Sequence, residues 1–203
     1  MKFFKPGRSE NGGFSLIEIM VVVGILTIIN IMIFASYPEF SQKLSLKRTS
    51  EEVALIVRQA QSYALGIKKS ALGSDDYFGF GIRFNKTAPT TIILFTDFGA
   101  IPNKIYDVGD GCGSSSTECF QEFKIDTRDY IFELTTVAYD EFGTPVSTPV
   151  NILDVVYPRA ASMATITADG GIANPSYAKV TIKSPRGGEK YIKIWISGQI
   201  EVE

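Results

Sequence analysis

The chain has 203 residues, with 20 basic and 22 acidic side chains and a formal net charge of −2, which leaves room for one globular domain of ordinary size plus an appendage. Charges so nearly balanced give no electrostatic reason to expect a polyanion partner or an acidic substrate. The complete absence of histidine removes the commonest general base and the commonest metal ligand, so composition disfavours an enzyme while leaving Asp, Glu, Lys and Cys as candidate catalysts.

Residues 1–13, MKFFKPGRSENGG, are short and polar, carry Lys2, Lys5 and Arg8, and end on a Gly pair; they do not read as folded structure. From Phe14 to Phe34 runs FSLIEIMVVVGILTIINIMIF, about 21 residues, which as a helix covers roughly 30 Å and matches the hydrocarbon core of a bilayer. A buried helix of a soluble protein would show a polar stripe, whereas this one is apolar on every side apart from Glu18 and Asn30. A secretory signal peptide fits less well, because the run exceeds the usual apolar stretch of about 7 to 15 residues and no small-x-small cleavage site follows it. Lys43, Lys47 and Arg48 beyond the run nearly cancel the topological bias of the basic residues before it.

Beyond Pro38, the apolar residues Phe40, Leu44, Val53, Ile56, Val57, Ala60, Ala64 and Ile67 recur at helical spacing, which predicts an amphipathic continuation of the helix. Thr49 and Glu52 stand at capping-box spacing, so a restart near Thr49 competes with an ordinary mid-helix threonine. Gly66 and Gly73 signal the end. From Tyr77 onward the period changes to two, with β-branched and aromatic residues punctuated by Gly, Pro, Asn and Asp. Strands are expected at Tyr77 to Phe84, Thr91 to Thr96, Phe120 to Ile125, Tyr130 to Tyr139, Val150 to Val156, Met163 to Ala168, Tyr177 to Lys183 and Lys190 to Val202. The last two face each other across SPRGGE as a hairpin.

Within this region Cys112 and Cys119 share a Gly/Ser-rich loop. A local disulfide is the natural reading, against the alternative of two free thiols in a reducing compartment; so short a loop contributes about 2.5 kcal/mol by chain entropy, and the bond persists only under oxidising conditions. Two cysteines without histidine leave a zinc ion half-coordinated, so no metal is expected there. Asp97, Asn103, Asp107 and Asp110 lie close together, but their spacing departs from a regular calcium loop and reads better as a solvated turn. Gly79 and Gly81, in a strand-like context, indicate close packing or a bulge. Lys179, Lys183, Arg186, Lys190 and Lys193 gather at the C-terminal hairpin, where they offer contacts to nucleic-acid phosphates; Lys179, Lys183 and Lys193 also alternate with apolar residues as the wet face of a sheet does, and that simpler account is preferred.

One constellation rises above this background: Gly13, Phe14 and then Glu18 inside an apolar run, GFSLIEIMVVVGIL. An unpaired carboxylate near the start of a spanning helix costs on the order of a few kcal/mol. A cut between Gly13 and Phe14 creates an amine one helical turn from Glu18 on the same face, available to pair within one subunit or with the carboxylate of a neighbour.

At Gly13, Phe14, Ser15, Leu16, Ile17 and Glu18 the sequence resembles the type IV pilin and type II secretion pseudopilin family, whose class III leader ends in Gly before Phe-[ST]-Leu-[IL]-Glu and a long apolar stretch. The resemblance implies that prepilin peptidase cleaves after Gly13, that the Phe14 amine is N-methylated and that Glu18 takes part in filament assembly. Many members carry a proline near the position of Ala35; here the first proline after the leader is Pro38. The segment SEEVALIVRQAQSYAL followed by strands, and the ending GGEKYIKIWISGQIEV, resemble the GspH/FimT group of minor pilins and pseudopilins. The mid-chain cysteine pair differs from the C-terminal disulfide loop of many major pilins and favours a minor or pseudopilin-like subunit over a major one.

The expected fold is therefore α+β: a leader over 1–13, a transmembrane or filament-core helix over 14–35, an amphipathic continuation over 36–70, and an antiparallel β-sheet head over 71–203, the whole lollipop-shaped. The expected function is structural and not enzymatic, with no catalytic residues and no cofactor. Its implied partners are other pilin or pseudopilin subunits, prepilin peptidase and an inner-membrane assembly platform. The subunit would sit single-pass in the inner membrane with its head in the periplasm or outside the cell, and in a pilus or pseudopilus after assembly. A FimT-like DNA-binding minor pilin, separable by a gel shift with Lys-to-Glu variants of the hairpin, is the alternative, and a membrane-anchored enzyme is a third reading.

Overall fold

The computed structural model describes residues 13–66, 78–98, 103–107, 112, 118–171, 174–185 and 187–203. Residues 1–12, Ile67, Gly73, Tyr77, Asp110 and Arg186 lie outside the described residues. Two compact units are present, Met1–Ser41 and Gln42–Glu203. One long helix, α1, runs Leu16–Leu65. Ten strands follow: β1 Gly79–Asn85, β2 Thr91–Asp97, β3 Cys119–Lys124, β4 Tyr130–Tyr139, β5 Pro145–Val150, β6 Ile152–Pro158, β7 Thr165–Ala168, β8 Tyr177–Lys183, β9 Glu189–Trp195 and β10 Ile200–Val202.

In the first unit, every described residue from Phe14 to Phe34 is exposed, and the helix is long and apolar enough to cross a membrane. Ser15 begins it: its carbonyl accepts the Glu18 and Ile19 N–H groups at 3.0 and 3.2 Å. Pro38 lies inside the helix, where it removes one backbone donor.

In the second unit, the strands form two antiparallel five-stranded sheets, ordered β3-β2-β1-β6-β7 and β10-β9-β8-β4-β5. Their apolar faces and the buried stripe of α1 share one core. Val53, Val57, Ala60 and Ala64 of the helix meet Phe80, Ile82, Leu94, Val155 and Tyr157 of the first sheet and Leu134, Val180, Ile182, Ile192 and Ile194 of the second. The expected stripe is shifted at its start: Leu46 is buried, whereas Leu44 and Phe40 are exposed. Thr49 does not restart the helix, because its hydroxyl is used across the core, as described below.

The hairpin across residues 184–188 pairs Lys183 with Glu189 and Tyr177 with Trp195, as its sequence predicted. Two strand expectations are corrected. The run ending at Val202 is two strands, because the chain turns at Gly198, whose φ of +87° favours glycine and whose missing Cβ admits the Ser162 carbonyl and the Gln61 amide. Strand β5 was not expected; it is an edge strand, where its Pro145 and Pro149 are tolerated.

Candidate functional site

The apolar stretch of α1 contains three polar side chains beyond its first residue pair. Thr27 Oγ1 donates to the Val23 carbonyl at 2.8 Å and Asn30 Nδ2 to the Leu26 carbonyl at 2.7 Å. Both return to the helix's own backbone, which is how polar groups become tolerable in hydrocarbon. Glu18 is different. It is exposed, stands in the first turn, and its carboxylate has no partner among the described residues.

Two local forces favour an acid there. Ser15 and Glu18 have the spacing of a capping box, and a negative charge in the first turn opposes the positive end of the helix dipole. An amine on Phe14 would add a full positive charge to that same end, and Glu18 is the acidic residue in reach of both. Gly13 and Phe14 precede the helix in non-helical backbone.

The outer face of the first sheet carries a second constellation. Asp97 and Glu118 are 1% and 4% exposed, which corrects the expectation of a solvated turn around Asp97. Asp97 Oδ2 accepts the Lys104 N–H at 3.0 Å, while Glu118 accepts the Phe98 N–H at 3.3 Å and the Asp107 N–H at 2.6 Å. Asn103 Nδ2 in turn donates to Asp107 at 2.9 Å. Burial pushes the Glu118 carboxyl up to about 7, helped by the nearby charges of Asp107 and Asp97 and opposed by the two N–H donors. Burial likewise raises Asp97, against the Lys104 and Asn103 amides.

Cys112 and Cys119 are bonded as a disulfide with Cα atoms 4.6 Å apart, and Cys119 is buried beside Phe95, Tyr106 and Val156. Beneath them Arg83 grips Asp154 with two bonds of 2.8 and 2.6 Å and lies 5.0 Å from the Tyr106 ring centre. Gly81 is required in this layer because a Cβ there would strike the Phe95 ring. Glu118 is spent on backbone amides and Asp154 on Arg83, whereas the buried Asp97 Oδ1 has no hydrogen-bond partner among the described residues. Among the described residues no group of three or more His, Cys, Asp or Glu is placed to hold a metal.

The hairpin lysines do not form an open basic patch. Lys179 and Lys193 are directly opposite on one face, but Lys193 bonds Glu203 at 2.5 Å and Lys183 bonds Glu189 at 2.8 Å. Lys179 lies 5.2 Å from the Tyr191 ring centre. Lys190 pairs with Ile182 in register and so belongs to the opposite face.

No protein-family model, no curated protein and no solved structure matches the chain. The residues themselves therefore carry the functional reading. Sequence reasoning singled out Glu18 and found the cysteine pair that forms the disulfide. It missed Glu118, Arg83, Asp154 and Asp129, whose Oδ2 accepts the Ser45 and Thr49 hydroxyls of α1; the local pattern gives a signal for none of them.

Proposed function

We propose that the chain is a structural subunit, a minor pilin or pseudopilin, of a type IV pilus or a type II secretion pseudopilus. Prepilin peptidase cuts between Gly13 and Phe14, the new amine is methylated, and the apolar part of α1 leaves the inner membrane for the core of a helical array with the β-rich heads outside. The single observation that carries this reading is the exposed Glu18 carboxylate without a described partner in an apolar helix whose Thr27 and Asn30 are internally satisfied. An unpaired acid in hydrocarbon is costly, and the amine released at Phe14 supplies a cation to meet it.

The Cys112–Cys119 bond supports a head facing an oxidising compartment. The commitment of Lys183 and Lys193 to Glu189 and Glu203 favours a structural role over DNA capture, because a phosphate would have to displace those carboxylates first. Intact-mass analysis of the chain from membranes of a host with prepilin peptidase tests the reading. The expected product begins at Phe14 and is heavier by one methyl group, and it is absent from a host lacking the peptidase. Retention of Met1 to Gly13 in both hosts overturns the proposal.

A further inference from the structure

Four strands end the two sheets: β3 and β7 in one, β10 and β5 in the other. Along an antiparallel edge, alternate residues turn their N–H and C=O away from the neighbouring strand, where they can template further pairing. Three of these edges are blunted. On β5, the Asp140 N–H bond to the Thr144 carbonyl sets an alternation in which Pro145, Ser147 and Pro149 face outward, and proline offers no donor. On β3, the Ile125 N–H bond to the Thr90 carbonyl turns Glu122 and Lys124 outward, both charged. β7 is four residues long, its first outward N–H at Ala164 already bonds the Ile196 carbonyl at 2.8 Å, and Ile166 beside it is buried.

β10 is shorter still, at three residues, but it carries no proline, its outward-facing residues Ile200 and Val202 are uncharged, and no bond among the described residues closes its outward groups. Tyr191 and Glu203 exchange both backbone bonds, at 3.1 and 2.9 Å, and Glu201 stands opposite Lys193. Ile200 and Val202 consequently turn their N–H and C=O groups away from β9, and those groups have no partner among the described residues. Next to Val202, Glu51, Ala54, Leu55 and Arg58 of α1 line an open groove, in which Leu55 is 57% exposed.

We propose that this edge and groove receive an extended strand of another polypeptide, in which two apolar residues flank a basic one. The two apolar residues of the guest hydrogen-bond Ile200 and Val202 and place their side chains on the α1 side, over Ala54, Leu55 and Val202. The residue between them lies opposite Glu201 on the other face, where Lys193 is already bonded to Glu203, so a cation fits there. A second copy of this chain does not fit. Antiparallel pairing of two β10 strands through Ile200 and Val202 would set the two Glu201 side chains directly opposite each other, which is destabilising. This mode of recognition draws affinity from main-chain bonds and selectivity from alternate side chains, and it holds independently of the filament reading.

The test is amide hydrogen exchange on the full chain in detergent, with and without the probe acetyl-Thr-Val-Lys-Val-Thr-amide at millimolar concentration. Exchange at Ile200 and Val202 should slow about fivefold or more, while a probe with Glu in place of Lys has a clearly smaller effect. Val202→Pro removes an outward donor and no hydrogen bond of the β9 ladder. In that variant the ladder amides of Tyr191 and Glu203 should stay protected, showing an intact fold, while Ile200 no longer responds to the probe. Unchanged exchange at Ile200 and Val202 in the wild type overturns the proposal. So does slowing that needs no probe and grows with protein concentration, which would make the guest a second copy.

Discussion

Glu118 combines burial with acceptance of two backbone N–H bonds, and its carboxyl is held at about 7 against an ordinary 4.5. Because the folded form binds a proton more tightly than the unfolded chain, this group's stabilising contribution is fully present below about pH 4.5 and is lost as pH rises through 7. The raised Asp97 acts in the same direction. The urea midpoint of the head should therefore be higher at pH 5.5 than at pH 8, and Glu118→Gln should flatten most of that difference; a wild-type midpoint that rises toward pH 8 contradicts the assignment. Nothing in the local residue pattern marks this acid. Its burial comes with long-range packing, Tyr106 and Cys119 clustering with Phe95 and Val156, whereas the cysteine pair was legible because both partners share one short loop.

At the scale of elements, α1 is fastened to the sheets by polar ties as well as by its apolar stripe. Asp129 is 2% exposed, and its Oδ2 accepts Ser45 Oγ at 3.1 Å, Thr49 Oγ1 at 2.8 Å and Thr127 Oγ1 at 2.9 Å. Further along, Gln61 Nε2 donates to the carbonyls of Ser162 and Gly198, each at 3.2 Å. Asp129→Ala strips three hydroxyls of their acceptor, one of them on the fully buried Thr49, and should cost about 2 kcal/mol in urea unfolding at unchanged m-value. Asp129→Asn, which keeps one acceptor oxygen, should cost less. The helix and most strands were readable from their periods, since 3.6 and 2 are properties of the chain itself. Thr49 was misleading because its hydroxyl acts across the core, and β5 was hidden because edge position, which makes its prolines acceptable, is a fact of topology.

For the whole molecule, the apolar segment and its single acid decide the reading. Glu18→Ala removes no described contact, so the chain should still fold and still enter the membrane. Its incorporation into filaments should nevertheless fall about tenfold or more, the equivalent of roughly 1.4 kcal/mol per subunit, as read by the ratio of sheared to membrane-bound protein. Incorporation equal to wild type would remove the electrostatic basis of the proposed function. That acid was legible from the sequence because a charge in a long apolar run is conspicuous, while the β10 edge was not, since it requires the hydrogen-bonding alternation of a folded sheet.

The fastenings of α1 have a mechanical consequence. Ser45 and Gln61 stand about 24 Å apart along the helix axis, one near each end of the segment that crosses the sheets. A tug directed along that axis strains both anchor points together, so they resist sliding in parallel and do not unzip in sequence. A domain towed by its helix is thereby suited to remain folded while it is pulled.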